Sequence, residues 1–460
     1  MFFRANLLAA AAAAAIAAFT APAHAVDLVA IGAMSSELRD HSGQSALLES
    51  GLPGDLLGGM GSGLAWAGGN TFLALPDRGP NATEWNASVD STTSYIPRFH
   101  TITLDLLRAP DTARNLPMML AATLTNTTLL SSHSPLVYGA PIAGYTAVPA
   151  LNTPSRKYFT GRSDNFDAVT SSASARDARF DPEGIRVSAN GRFVYISDEY
   201  GPYLYQFHRD SGERVRAIAL PAKLAVAHKS AQSGVEISGN TQGRVANKGM
   251  EGLAISPNGK MLFGFVQSPL IEDGGDGGRM NRIVAVNLET EQVTEYAYDN
   301  YLADKSKTYN TSELLALNDH ELLVLERDGK GLGDNSAAVV KRIYKVDIAG
   351  AADVSALSGS ASLQAKALPK TLFLDITAKL TQAGVTNDLI PAKLEGMAFG
   401  EDIVVDGVTK HTLYITNDND YLSIAPGGKP NPNQFFVFTF TEQDLGGSQF
   451  VNQSFTAGAR

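Results

Sequence analysis

The chain predicts an all-β fold, a β-propeller of six blades with loop insertions. Three observations predict it: apolar runs of strand length recur throughout, Asn-Gly turns join pairs of them, and one hairpin pattern returns along the chain. The runs are rich in Val, Ile, Leu, Phe and Tyr and broken by Gly, Asn, Asp and Pro, as in VAIGAM, FVYISDE, MLFGFVQ, ELLVLER and TLYITND. SANGRF (188–193) and SPNGKM (256–261) place Asn-Gly between two such runs, a strong hairpin signal. Helical periodicity is confined to short pieces such as TSELLALND and ITAKLTQAG.

From the N-terminus, MFFRANLLAAAAAAAIAAFTAPAHA has one cation, Arg4, a long Ala/Leu run and an A-x-A end at Ala23-His24-Ala25. Residues 1–25 read as a secretory signal peptide, so the mature protein starts near Val26 and is periplasmic or secreted. No later run approaches the roughly 20 apolar residues of a spanning helix. VDLVAIG follows, and QFFVFTF lies near the other end. Pairing of these terminal strands would complete one blade and close the ring, removing open edges.

Between them the hairpin repeats. DPEGIRVSANGRFVYISDEYG (181–201) aligns with KGMEGLAISPNGKMLFGFVQS (248–268) and with KLEGMAFGEDIVVDGVTKHTLYITNDND (393–420). Weaker copies are GSGLAWAGGNTFLALPDRG (61–79), with Ser62 in place of Glu, and NTSELLALNDHELLVLERDG (310–329), with Glu313. Spacings of roughly 60 to 120 residues fit blades with insertions, read as one domain over 26–460 with a core of about 58–440. The stretch 100–175, rich in Ser, Thr, Pro and Ala, leaves room for the sixth blade and a long loop. The acidic Gly loop IEDGGDGGRMNR (271–282) is either an ion loop or a turn.

Bulk properties narrow the function. The formal net charge is −10, with no cysteine, so thiol chemistry is absent and nucleic acid is a poor partner. There is no G-x-S-x-G, no H-E-x-x-H and no G-x-x-x-x-G-K-[ST]. GGMGSGLAW is Gly-rich but lacks the Lys of a phosphate loop.

What remains is the chemistry of the repeat. In an antiparallel hairpin the start of one strand lies beside the end of its partner. Glu183, Glu251, Glu313 and Glu395 before the first strands should therefore share one rim with the clusters that end the second strands. Those are Asp77-Arg78, Asp198-Glu199, Gln267, Glu326-Arg327-Asp328 and Asn417-Asp418, with Asp181 beside them. Converging carboxylates repel one another, and a hard cation relieves that cost. Oxygen-only ligands point to Ca²⁺ or Mg²⁺. The plain alternative is that Glu-Gly is a hairpin-entry preference whose carboxylate bonds local amides. Arg78 and Arg327 carry the planar fork suited to phosphate or carboxylate, or to an ion pair with a neighbouring acid. Lys248 and Lys393, before the repeat glutamates, are expected to be solvated.

DPEGI…ISDEYGP, NKGMEGLAISPNGK, LERD and KLEGMAF…ITNDND together resemble the phytase-like domain family, described as having esterase-like activity of phytase. The resemblance runs from about Gly58 to Phe440 and implies a secreted bacterial β-propeller that hydrolyses phosphoesters. Ser62 and Gln267 depart from its acidic pattern. The leading expectation is a divalent-cation-dependent phosphoesterase. Glu183, Glu251, Glu395, Asp198, Glu199 and Glu313 would hold metal, Arg78 and Arg327 would neutralise phosphate, and Glu326 would donate a proton. Two alternatives stay open: a calcium-dependent lactonase or carboxylesterase, and a non-catalytic, metal-stabilised propeller that binds a partner. In the first two readings the partner is a small-molecule ester or phosphoester.

Overall fold

A computed structural model describes residues 26–83, 90–139, 148–163 and 172–455; the expected signal peptide lies outside them. Among the described residues, twenty strands form five blades, each with four antiparallel strands at its heart, and two of the blades carry short extra strands. Blade 1 is β2 (Gly63–Trp66), β3 (Thr71–Leu75), β4 (Arg98–Leu107) and β5 (Met119–Leu129). Blade 2 is β6 (Pro182–Val187), β7 (Phe193–Asp198), β8 (Tyr203–His208) and β9 (Glu213–Ala219). Blade 3 is β10 (Met250–Ile255), β11 (Met261–Val266), β12 (Met280–Asn287) and β13 (Val293–Asp299). Blade 4 is β14 (Asn310–Ala316), β15 (Glu321–Arg327), β16 (Lys341–Asp347) and β17 (Lys370–Asp375). Blade 5 takes β18 (Lys393–Phe399), β19 (Val408–Asp418) and β20 (Asn433–Phe440) from the C-terminal part and β1 (Asp27–Met34) from the N-terminal part.

Two expectations are corrected. Among the described residues there are five blades, not six: the stretch assigned to a sixth holds β4, β5 and two short strands, Ser131–Ser132 and Lys157–Tyr158, that extend the edge of blade 2. Strand β5 alternates exposed with half-buried positions; Leu120, Ala122 and Leu124 pack inward on the core, but Thr and Ala fill most of the rest, so no strong apolar run announces it. The terminal strands do pair, Asp27 opposite Thr439 through Met34 opposite Asn433. That pairing completes blade 5, however, and no strand ladder joins one sheet to the next among the described residues. Neighbouring sheets meet by packing instead. The core is accordingly split into separate apolar clusters between blades, such as Leu73, Phe180 and Ile185 between the first two.

Local chemistry explains the hairpins. Ser188 Oγ donates to Asn190 Oδ1 at 2.8 Å and accepts from Phe193 N at 3.0 Å; Ser256, Asn258 and Met261 repeat the network at 2.8 and 2.9 Å. Gly191 and Gly259 follow at φ +67° and +71°, where a Cβ is disfavoured.

The Glu-Gly dipeptide has a different cause. Each innermost strand packs against the next, so a Cβ on Gly184 would lie 2.5 Å from Leu253 Cβ. One on Gly252 would lie 2.9 Å from Glu313 Cα, and one on Gly63 would lie 2.6 Å from Glu183 O. Glycine stands there because neighbouring blades touch.

Below that level the axis is filled. Arg186 donates to Leu64 O of blade 1 at 2.7 Å and to Leu314 O of blade 4 at 2.9 Å, and pairs with Glu313 at 2.9 Å. Glu313 in turn accepts from Leu253 N of blade 3 at 2.9 Å. The far end of the axis is crossed by the C-terminal segment. Val451 N donates to Leu317 O at 2.8 Å, while Asn452 and Gln453 bond Gly400 O and Val187 O, both at 2.7 Å.

Candidate functional site

The site is set by an irregularity shared by four inner strands. The register slips between Pro182 and Ile185, Met250 and Gly252, Thr311 and Glu313, and Leu394 and Met397. A bulge adds one residue and re-aims its side chain. Glu183, Glu251 and Glu395 lie in these bulges and line a cavity of about 570 Å³ at one end of the axis. In blade 4 the bulged residue is Ser312, and in blade 1 Ser62 lies just before β2 and also lines the cavity.

A second tier comes from the ends of the second strands: Arg78 with Asp77 in blade 1, Glu199 in blade 2, Gln267 in blade 3, Arg327 in blade 4 and Asp418 in blade 5. The tiers are matched. Arginine appears in the two blades whose first tier is serine and in none of the three whose first tier is glutamate. Arg78 Nη1 lies 2.5 Å from Asp181 and 3.9 Å from Glu199 of the next blade. Arg327 donates through Nε to Ser312 Oγ at 2.7 Å, pairs through Nη2 with Glu395, and lies 4.0 Å from Glu251.

Crowding shifts the acids. Burial pushes the Glu183 carboxyl well above the usual range, reinforced by Glu251, Asp181, Glu199 and Asp77. Burial does the same to Glu251, helped by Glu199 and Glu395 and opposed by Arg327. Asp77 and Glu199 are pushed up to about 7 by burial and by Asp181, with Arg78 pulling the other way. Asp418 rises through burial, against Lys393 3.0 Å away.

Several expected site residues lie elsewhere. Glu313 stands one residue past the bulge, and one step along a strand reverses the face. It is fully buried against Arg186 and does not line the cavity. Glu326 likewise faces away from Arg327 and bonds the Tyr298 hydroxyl at 2.5 Å and Lys370 Nζ between blades 3 and 4. Asp198 Oδ1 accepts from Asp181 N and Tyr200 N at 3.1 and 3.0 Å, beside rather than in the cavity. Asn417 ties Gln434 N at 2.6 Å. Asp328 lines the rim and holds Lys341 at 2.7 Å. Lys393, expected to be solvated, is paired with Asp418 and Asp420. The acidic loop is a turn: Asp273 is fully buried on Arg282 at 2.7 Å, and Glu272 accepts from Gly243 N. Lys307, on a short strand pair between blades 3 and 4, and Tyr309 and Lys330, outside the strands, line the cavity from segments that carry no repeat signal.

The donor set fits a hard cation. Asp181, Glu183 and Glu199 are buried and offer oxygens that lie within 4.8 Å of one another. Glu183 accepts no hydrogen bond from the described residues, while Asp198 Oδ2 and Gln267 Oε1 nearby are buried without a partner. Asp181 already accepts from Arg78 N and Nη1 at 3.1 and 2.5 Å and Glu199 Oε1 from Gly249 N at 3.0 Å, so Glu183 and the second Glu199 oxygen are the acceptors a cation would satisfy.

Comparison with known proteins adds the following. Residues 55–421 match the family model described as phytase-like, esterase-like activity of phytase. An uncharacterized secreted protein of Arthroderma benhamiae is 30% identical over 338 residues, 64% of this chain and 63% of the relative. This chain thus spans just under two thirds of that relative's length. Among solved structures, a periplasmic gluconolactonase of Pseudomonas aeruginosa overlays at 10% identity and TM-score 0.31, covering 81% of this chain and 87% of the other. The hydrazine synthase of Kuenenia stuttgartiensis overlays at 10% identity and TM-score 0.31, covering 79% and 78%. These overlays are loose, and the propeller description rests on the five sheets themselves.

Proposed function

Because this chain belongs to the phytase-like family, described by esterase-like activity of phytase, we propose that it is a secreted, divalent-cation-dependent phosphoester hydrolase. One observation carries the reading: Glu183 and Glu199 share the walls of one cavity with Arg78 and Arg327, and Asp181, buried behind that wall, offers an oxygen within 4.8 Å of both glutamates. A site for a carboxylic ester needs no such density of cations beside a metal cradle.

Asp181, Glu183 and Glu199 would hold the ion, with Ca²⁺ or Mg²⁺ favoured by all-oxygen donors. When bound, it supplies Lewis-acid charge to phosphate oxygens. The protein's own groups do the rest. Arg78 Nη2 and Arg327 Nη1 make no hydrogen bond to the described residues, so each guanidinium keeps a donor for a non-bridging oxygen. Lys307 and Lys330 extend positive charge along the rim. Asp77 lines the cavity with its carboxyl near 7, matched to giving a proton to the leaving oxygen at neutral pH. Glu326, turned between blades, is not placed for that role.

The test is hydrolysis of phosphomonoesters, phosphodiesters, lactones and aryl esters, with Ca²⁺ and after chelation. Chelator-sensitive turnover of phosphoesters supports the reading. Turnover of lactones or aryl esters alone replaces it with a carboxylesterase. No turnover, together with a chelator-sensitive melting temperature, replaces it with a non-catalytic propeller.

A further inference from the structure

The pairing of serine with arginine has a consequence for what the cavity selects. We propose that Ser312 is a positioning residue that aims Arg327 into the cavity and makes blade 4 its anion-binding side. The proposal rests on the phosphoester reading and deepens it.

Ser312 occupies the bulged position that holds Glu251 in blade 3. Its Oγ accepts from Arg327 Nε at 2.7 Å, and it is 1% exposed. Fixing Nε sets the plane of the guanidinium, because the group is rigid and flat. With Nη2 committed to Glu395, the remaining Nη1 is the donor left for a ligand. A glutamate in this place would bind the same guanidinium through two oxygens and consume that donor. It would also add another carboxylate to a cavity already crowded with them. Serine is short enough to leave room and polar enough to hold Nε. Blade 1 pairs the same residue types, Ser62 in the first tier and Arg78 in the second, but there Ser62 Oγ donates to Gly59 O and Arg78 is aimed by Asp181 instead. Arg78 Nε is buried without a partner there. In blade 4 the choice of serine over glutamate thus frees an arginine for anions, whereas the glutamates of blades 2, 3 and 5 favour cations.

Binding of inorganic phosphate and of Ca²⁺ is measured separately by calorimetry on the mature chain, for wild type and for Ser312→Ala, Ser312→Thr and Ser312→Glu. Losing a hydrogen bond to a charged group should weaken phosphate binding by roughly tenfold in Ser312→Ala, with Ca²⁺ affinity little changed. Ser312→Thr should restore phosphate binding, and Ser312→Glu should abolish it while tightening Ca²⁺. Should Ser312→Ala fail to fold, Ser312→Cys gives the same comparison with a poorer acceptor. Phosphate binding by Ser312→Ala equal to wild type overturns this proposal alone. Equal losses of phosphate and Ca²⁺ binding with a lowered melting temperature also overturn it, since they mark Ser312 as structural. A wild type that binds no phosphate overturns both this proposal and the phosphoester reading.

Discussion

Glu199→Gln should change the sign of its effect on stability when calcium is added. Glu199 is buried, its Oε1 accepts from Gly249 N at 3.0 Å, and its carboxyl is raised from 4.5 to about 7, mainly by burial and then by Asp181. Between those values the folded protein keeps a proton that the unfolded chain has released. Stability from this group is therefore full below pH 4.5 and is lost as pH rises through about 7. At about 1.4 kcal/mol for each tenfold change in proton concentration, the cost at pH 8 is about 3 kcal/mol, an upper figure because the acids titrate together. Glutamine keeps the acceptor for Gly249 N and has no such proton to hold.

In chelator, the variant should match wild type at pH 4 and exceed it at pH 8. An unfolding entropy of about 2.1 cal/mol/K per residue over roughly 430 residues turns 3 kcal/mol into about 3 °C. Calcium should reverse the order. A ligand at a thousandfold excess over Kd adds about 4.1 kcal/mol, more than the 3 kcal/mol to be overcome, and the variant lacks one ligand charge. The assay is thermal unfolding of both proteins from pH 4 to 8, with and without calcium. A variant less stable than wild type at pH 8 in chelator refutes the crowding argument; equal calcium increments refute Glu199 as a ligand.

Other consequences follow from residues that left or joined the site. Glu326→Gln should leave hydrolysis within about twofold of wild type, since the side chain faces Tyr298 and Lys370; a loss of tenfold or more in kcat would return it to the cavity. Arg186→Met strands Glu313 in the axis and should cost about 3 to 5 kcal/mol in denaturant unfolding; an unchanged midpoint would show that the pair holds nothing together. Gly252→Ala places a Cβ 2.9 Å from Glu313 Cα and should cost about 1 to 3 kcal/mol; a neutral result would mean that the inner strands are not packed this tightly.

Much of the fold was legible because the hairpins announce themselves. Asn190 and Asn258 sit in matching Asn-Gly turns, and Glu183 and Glu251 precede them at the same offset. The blade count was not legible, since the outer strands β4 and β5 have an exposed face and no repeated motif. Glu313 was misread for a definable reason. A bulge inserts a residue without changing composition, so Glu313 was aligned with Glu251 when Ser312 is its counterpart. Glu326 shows the opposite case. Strand period alone sets Glu326 and Arg327 on opposite faces, and applying it would have separated their roles. Lys307, Tyr309 and Lys330 reach the cavity from connecting segments, for which the sequence carries no periodic signal.

The filled axis also governs traffic. With Arg186 and Glu313 across the middle and Gln453 and Asn452 beneath, the cavity is a vessel with one opening rather than a pipe. On the proposed phosphoester reading, a product released at its floor would leave past Arg78 and Arg327, which line the same cavity. Released phosphate would then stand in the doorway of the next molecule and compete with it directly. On that reading, turnover would be limited by how readily the mouth empties, and clearing phosphate from the medium would speed it without any change in the chemistry.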